Sequence, residues 1–247
     1  MKKIVYIVLL VAQTMLAQTA FQKGNDLYKK EQFEQAVAVY EGILQSGEQS
    51  SELYFNLGNA YYKLHKVAPA VYNYEKALLL NPNDAEIQTN LKFAQKMAID
   101  EIKVVPKVGF SQILNETLDV FHYNTWAGIA TGFSLAFLLC FIGYYFGGTS
   151  LLKRTFFTAM ILTVLGTLLS VLFAVIEKKN YDSEQPAIVF AEVTEVKNEP
   201  KSNAPNAFEL HEGTKVYVLE TQDNWSKIQL TDETEGWITS DAIKKLK

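Results

Sequence analysis

The sequence predicts a protein of three parts: an α-helical repeat domain, a two-helix transmembrane hairpin and a small all-β barrel. Residues 17–84 repeat with a period of 34, residues 126–176 hold two long apolar runs, and residues 186–247 hold short β-rich runs between turn signals. The expected organisation is 1–18, signal peptide; 19–102, helical repeats with a capping helix; 103–125, amphipathic juxtamembrane segment; 126–176, transmembrane hairpin; 177–185, linker; 186–247, β domain.

The N-terminal segment is typical of a secretory signal peptide. Lys2 and Lys3 precede an apolar run, 4–12, and small and polar residues follow as far as Gln18. This order of charge, apolar run and small residues directs export. Cleavage near Ala17 would remove the segment, whereas an uncleaved segment would remain as an anchor with its lysines on the inner side. In both cases we expect the following domain to be exported.

The repeat is visible as identical residues 34 positions apart. Gly24 matches Gly58, and Tyr40 matches Tyr74. The second copy, with Leu57-Gly58-x-x-Tyr61 followed by Ala70, Tyr74, Ala77 and Pro82, resembles the tetratricopeptide repeat family. Small residues allow the two helices of a repeat to cross closely. Asn83-Asp84 then predict the start of a further helix, 85–102, which we expect to cap the stack.

The resemblance implies that the first helix of each repeat lines a concave groove that binds a peptide. The groove residues that it implies are Phe21, Asn25, Tyr28, Lys29, Phe55, Asn56, Asn59, Tyr62 and Lys63. An asparagine amide both donates and accepts hydrogen bonds, which suits an extended peptide backbone. The alternative is that these are exposed helical residues without a ligand.

Residues 110–126 carry apolar side chains at helical spacing directly before the first apolar run. Such an amphipathic helix lies in a membrane interface, or it packs under the repeat domain. The sequence leaves both alternatives open.

The two apolar runs are Trp126–Phe146 and Thr155–Ile176, and neither contains a charged residue. Each is long enough for a helix that crosses about 30 Å of hydrocarbon. Only 147–154 separates them, so a hairpin would leave both flanking regions on one side of the membrane. The alternative is a pair of buried helices in a soluble protein.

Small residues recur every four positions in both apolar runs. Gly128 and Gly132 begin such a ridge in the first run, and Gly166 and Ser170 begin one in the second. Ridges of this kind predict close helix packing in lipid. Lys153 and Arg154 in the elbow are balanced by lysines after the second run, so the export signal decides the orientation. We therefore expect an inner-membrane protein with both soluble domains in the periplasm.

Residues 186–247 resemble a bacterial SH3-like domain. The resemblance rests on Gly213-Thr214-Lys215-Val216, on Asn224-Trp225-Ser226-Lys227-Ile228 and on Gly236-Trp237. Trp225 and Trp237 are its candidate ligand surface. The alternative is that these two side chains form part of the barrel core.

The sequence contains no recognisable catalytic constellation. The three histidines fall in separate regions without metal-ligand spacing, and the single cysteine, Cys140, lies within the first apolar run. The net charge is −4, which argues against nucleic acid as a partner. We expect no enzyme activity, no cofactor and no metal site.

The order of the parts resembles the BatE-type proteins of bacterial aerotolerance operons. That resemblance implies a non-catalytic membrane scaffold, with other Bat-type membrane proteins as its protein partners. A different function, a cell-wall sensor in which the SH3-like domain binds peptidoglycan, remains open beside it.

Overall fold

The computed structural model describes residues 20–100 and 120–247. The predicted signal peptide and most of the predicted juxtamembrane segment lie outside these residues. The described chain forms two compact units. The first comprises 20–100 together with Gln185–Lys247, and the second comprises 120–184.

The N-terminal part of the first unit consists of five helices. They are α1 (20–29), α2 (Phe33–Gln45), α3 (Ser51–Lys63), α4 (Val67–Leu80) and α5 (Ala85–Gln95). The Ser50 hydroxyl caps α3 by accepting from the Leu53 N–H, and the Asp84 carboxylate caps α5 by accepting from two backbone N–H groups. The helix α4 ends two residues before Pro82, which cannot continue it.

The 34-residue period extends to the backbone. The turns after α1 and α3 each contain a non-glycine residue in the left-handed region, Glu31 at φ 60° and His65 at φ 56°. Each turn is closed in the same way, because the Gln32 N–H donates to the Leu27 carbonyl and the Lys66 N–H donates to the Tyr61 carbonyl. The two copies therefore have the same backbone structure in these turns.

A buried tyrosine packs on the glycine of each helix pair. A Cβ at Gly58 would lie 2.8 Å from the ring of Tyr74, and a Cβ at Gly24 would lie still closer to the ring of Tyr40. Both tyrosines have 0% exposure. Glycine is therefore required at these two crossings by space and not by backbone conformation.

The predicted capping helix is shorter than expected. It ends at Gln95, and 96–99 form turns and bends. These turns bring Asp100 to the β domain, where its carboxylate accepts hydrogen bonds from His211 and Thr214. Ile87, Leu91 and Ala94 lie on one face of α5 and are buried.

The second unit contains two long apolar helices, α6 (Tyr123–Phe146) and α7 (Ser150–Ser183). Both are long and apolar enough to cross a membrane, with mean hydropathies of 1.8 and 2.6. The turn is shorter than the predicted elbow, because the Thr149 side chain caps α7 by accepting from the Leu152 N–H. The predicted linker, 177–185, is helical as far as Ser183. It holds no glycine or proline, and Lys178 and Asp182 form an i, i+4 ion pair there.

The contact between α6 and α7 differs from the predicted pairing of small ridges. A Cβ at Gly128 or Gly132 would meet nothing within 4 Å, so this half of the first ridge faces away from α7. The Phe133 ring instead lies 3.0 Å from a Cβ position at Gly166. A large side chain on α6 thus fills the gap left by a small residue on α7, and Ser170 is buried beside it.

Residues 186–247 form an antiparallel sheet consistent with an SH3-like domain. Its strands are β1 (Pro186–Val189), β2 (Val193–Lys197), β3 (Asn206–His211), β4 (Lys215–Gln222), β5 (Trp225–Gln229), β6 (Glu235–Thr239) and β7 (Ile243–Lys245). Their order is β3-β2-β6-β5-β4-β1-β7. Valine and isoleucine side chains dominate its core.

The strand β1 joins the sheet to the helical repeats, because all four of its residues are buried. Ala187 and Val189 face the core of the sheet. Ile188, on the opposite face, packs into the core of the repeats together with Leu246. The first unit is therefore one packed body built from two segments that are far apart in the sequence.

Polar contacts surround this apolar junction. Asp100 accepts from the backbone N–H of His211 at 2.7 Å and from the Thr214 hydroxyl at 2.7 Å, and its second oxygen lies 2.8 Å from the His211 ring. Burial alone would raise the pKa of Asp100, but these hydrogen bonds outweigh it and lower the pKa. Lys215 forms an ion pair with Glu75 at 2.7 Å, where the Glu75 side chain is almost buried.

The turn before β4 also requires glycine. Gly213 has φ +86°, and a Cβ there would lie 2.7 Å from a methyl group of Val67. The neighbouring Glu212 carboxylate accepts a hydrogen bond from the Ala68 N–H in the first turn of α4, at 3.4 Å. That helix has no side-chain cap of its own, so the β domain supplies an acceptor at its N-terminus.

Two alanine substitutions at helical glycines should have opposite effects on stability. Gly58→Ala places a methyl group against the Tyr74 ring and should lower the free energy of unfolding by about 1–3 kcal/mol. Gly42→Ala lies in α2, where an added Cβ meets nothing within 4 Å, and should stabilise by roughly 0.5–1 kcal/mol.

The measurement is the free energy of unfolding of the helical repeats, obtained by denaturant titration of the full chain in detergent. Equal effects of the two substitutions would contradict the assigned packing of Tyr74 on Gly58.

Candidate functional site

A groove pocket of about 260 Å³ opens beside α1 and α3. It is lined by Asn25, Tyr28, Lys29, Tyr40, Asn56 and Asn59. Five of these six residues are among those that the sequence implies for the groove. The first helix of each repeat supplies all of them except Tyr40, which comes from α2.

The asparagine side chains are held by a hydrogen-bond ladder. The Tyr40 hydroxyl donates to Asn25 Oδ1 at 2.8 Å, and Asn56 Nδ2 donates to the same oxygen at 2.9 Å. The oxygen of Asn25 is therefore saturated within the protein. The amide nitrogen of Asn25 and the amide oxygen of Asn56 make no hydrogen bond to other described residues. Both are therefore available to form hydrogen bonds with a ligand.

The ladder repeats one period further along. The Tyr74 hydroxyl donates to Asn59 Oδ1 at 2.7 Å, and Asn90 Nδ2 donates to that oxygen at 2.9 Å. Each participant lies 34 residues after its counterpart in the first rung. Asn90 belongs to α5, so the predicted capping helix occupies the position of a first helix in a third repeat.

The ladder changes the interpretation of the predicted asparagines. The sequence implies that both ends of each amide are available to a peptide. In the structure the oxygens of Asn25 and Asn59 support buried tyrosines, and only their nitrogens remain for recognition. Desolvation, with a smaller contribution from Tyr28, raises the pKa of Tyr40 to about 12, so its hydroxyl keeps its proton and remains a donor.

The aromatic groove residues act mainly as supports. Phe21 packs on Tyr40 with ring centroids 6.0 Å apart, and Phe55 packs on Tyr74 at the same distance. Tyr62 is half-buried and Lys63 is exposed, and neither lines the groove pocket. The structure thus brings five of the nine predicted residues together at the pocket and leaves these four around it.

The sequence interpretation missed Tyr40 and Asn90 as members of the site. The signal that could have identified them is the period itself. Asn25, Tyr40 and Asn56 recur as Asn59, Tyr74 and Asn90, three polar positions 34 residues apart. Asparagines and tyrosines that recur together in register predict a shared hydrogen-bond network.

Trp225 and Trp237 lie on the outer face of the sheet. Along β5 and β6 the buried residues alternate with these two tryptophans, which are half-buried and belong to no buried core. Trp237 pairs across strands with Lys227 and Lys197, and Lys227 forms an ion pair with Glu235 at 2.6 Å. We call these residues the outer sheet face. Its aromatic rings between charged groups can contact a peptide or a sugar–peptide polymer.

Within residues 20–100 and 120–247, no group of three or more histidine, cysteine, aspartate or glutamate side chains could hold a metal ion.

Comparison with known families identifies two domains in the chain. Residues 51–84 match the tetratricopeptide repeat, and residues 192–244 match the bacterial SH3 domain. The comparison with curated proteins found no match. Both matched domains are interaction modules, the first typically for proteins and the second for proteins or cell wall. The first repeat has the turn, crossing and ladder of the matched second repeat.

The ladder predicts a specific pattern of stability at Asn59. Asn59→Ala removes the acceptor of the buried Tyr74 hydroxyl and should cost about 1–3 kcal/mol. Asn59→Asp keeps an oxygen acceptor and should be much less destabilising. Denaturant unfolding of the full chain measures both.

The control is Asn59→Ala combined with Tyr74→Phe, which removes donor and acceptor together. It should recover part of the lost stability, because no buried hydroxyl is then left unpaired. An Asn59→Ala variant as stable as the parent chain would show that the ladder contributes nothing.

Proposed function

We propose that this protein is a non-catalytic, membrane-anchored scaffold that recruits protein partners in the bacterial envelope. The observation that carries the proposal is the junction at β1. It joins two interaction modules into one body, although α6 and α7 separate them in the sequence. A rigid pair of modules can place two ligands at one position on a membrane.

The anchor in this proposal is the pair α6 and α7. With 24 and 34 residues, they are roughly 36 and 51 Å long, more than the hydrocarbon core requires. Many of their large apolar side chains are exposed, including Leu139, Phe146 and Leu168. Lipid is the environment that would cover such surfaces.

The junction also supports the hairpin topology. Two modules that pack through buried side chains must lie on the same side of any membrane that α6 and α7 cross. The apolar segment at the N-terminus, 4–12 after two lysines, supports export of both. We therefore place both domains in the periplasm and both helices in the inner membrane.

By resemblance to BatE-type proteins, we propose a role in aerotolerance or envelope stress, with other Bat-type membrane proteins as partners. The groove pocket is the recruiting surface in this proposal. Its amide groups suit an extended peptide, and Lys29 adds a positive charge at its edge.

A second candidate function is that of a cell-wall sensor. The outer sheet face favours it, because the half-exposed Trp225 and Trp237 could stack on sugar rings or contact peptidoglycan peptides. The two functions use different surfaces, so variants can separate them.

The test is cross-linking of the tagged full chain in native membranes, followed by mass spectrometry, beside binding of the purified chain to peptidoglycan sacculi. Asn25→Asp with Lys29→Glu removes an amide donor and reverses a charge at the groove while keeping the tyrosine acceptor. We expect the yield of specific cross-linked partners to fall about tenfold in this variant, since each lost donor contributes roughly 0.5–1.5 kcal/mol to binding.

The matched control is Trp225→Ala with Trp237→Ala, which should keep those partners. If the tryptophan variant loses sacculus binding while the groove variant changes nothing, the sensor function replaces the scaffold.

A further inference from the structure

A second pocket, of about 390 Å³, lies where the repeats meet the β domain. We call it the junction pocket. The helices α2, α3 and α4 form one side, and Phe190 and Lys244, next to β1 and on β7, form the other. None of its lining residues lines the groove pocket. It is therefore a separate site, and it exists only when the two domains are packed together.

The junction pocket has two ammonium groups. Lys76 Nζ donates to the Leu246 carbonyl at 3.0 Å and lies 5.6 Å from the centre of the Tyr54 ring. Lys244 Nζ lies 4.3 Å above the Tyr72 ring. Among the described residues, neither lysine forms an ion pair with a carboxylate.

The positive charges of these lysines affect each other. Burial lowers the pKa of Lys76, and the positive charge of Lys244 lowers it further. Two like charges beside a cavity, one of them partly desolvated, create a positive potential inside it. An anion in the cavity would relieve that repulsion.

Two side chains of the same pocket each carry an oxygen atom that makes no hydrogen bond to another described residue. Tyr54 is 6% exposed, and its hydroxyl makes no hydrogen bond to another described residue. Asn73 is 5% exposed; its amide nitrogen donates to the Pro69 carbonyl at 2.8 Å, but its oxygen accepts nothing from the described residues. Both oxygen atoms reach solvent in the open pocket, so a ligand there can form hydrogen bonds with them.

We propose that the junction pocket binds an acidic segment of a partner protein. A carboxylate of that segment interacts with Lys76, Lys244 and the Tyr54 hydroxyl, while the Asn73 oxygen accepts a peptide N–H. The rings of Tyr72 and Phe190, whose centroids lie 5.6 Å apart, receive an apolar neighbour.

The lining of the pocket distinguishes a peptide from other anions. Glu41 lies at the same pocket and accepts a hydrogen bond from the Tyr61 hydroxyl. This negative charge opposes a polyanion such as nucleic acid, whereas a single carboxylate can remain on the lysine side. Apolar and aromatic surface beside the charges suits the side chains that flank a carboxylate in a peptide.

This inference depends on the proposed function only for the source of the ligand, a protein. The site itself needs neither the groove pocket nor the membrane helices. Loss of binding at one pocket can therefore be distinguished from loss at the other.

The test is isothermal titration calorimetry of the full chain in lipid nanodiscs with two peptides that differ only in charge. The acidic probe is acetyl-Gly-Phe-Asp-Glu-Phe-Gly-amide, and its neutral counterpart carries Asn-Gln in place of Asp-Glu. We expect the neutral peptide to bind about tenfold more weakly, since hydrogen bonds to charged groups are stronger than neutral ones.

Single substitutions locate the binding site. Tyr54→Phe removes only a hydroxyl without a described partner, and Lys244→Met removes a charge from an exposed position. Each should weaken binding of the acidic peptide several-fold while leaving the unfolding midpoint unchanged. The matched controls are Tyr62→Phe and Lys63→Met beside the groove, which should bind as the parent chain does.

Four results would overturn the proposal. The first is failure of the acidic peptide to bind, and the second is equal binding of both peptides. The third is competition by inorganic phosphate at equal concentration, which would indicate a simple anion site. The fourth is loss of binding in a Lys29→Met variant with full binding in Tyr54→Phe and Lys244→Met, which would assign the peptide to the groove pocket and leave the scaffold function intact.

Discussion

The first unit depends on the burial of one short strand from both sides. Neighbouring residues of a strand point to opposite faces, so β1 can place Ala187 and Val189 in the sheet core and Ile188 among the helices. Ile188 is fully buried. The strands on either side of β1 then determine the positions of other groups. β4 carries Lys215 to Glu75, and β7 carries Lys244 to the junction pocket.

The period of the repeats could be predicted from the sequence because it is a local pattern. Gly58 and Tyr74 recur with their counterparts in the first copy, and the same pairs form the crossings in the structure. The roles of the asparagines were less predictable. A polar residue on a helix face suits both a ligand and an internal partner. Asn25 and Asn59 have internal partners because the hydroxyl groups of Tyr40 and Tyr74 reach them, and this contact is not visible in the sequence of either helix alone.

The junction could not be predicted from local patterns, because its partners are far apart in the chain. Asp100 and His211 are separated by 111 residues, and Glu75 and Lys215 by 140. One signal was available. The run Pro186-Ala-Ile-Val-Phe190 is continuously apolar, which is typical of a strand buried on both faces and not of a strand with one face in solvent. The small-residue ridge of α6 was likewise not a sufficient guide to the partner, because a local spacing does not show which residue of the other helix it meets. In the structure Phe133 of α6 packs on Gly166 of α7.

The central claim is that the repeats and the SH3-type domain form one body, which the proposed function requires to lie on one side of a membrane. Cross-linking in intact membranes tests it directly. Glu75→Cys and Lys215→Cys replace an ion pair 2.7 Å apart, in a chain with Cys140→Ser, and a protease site is inserted between 101 and 119. After treatment with a short bismaleimide and the protease, the two fragments should remain covalently joined at the mass of one chain. Fragments that separate as completely as in a control with only Glu75→Cys would contradict the account.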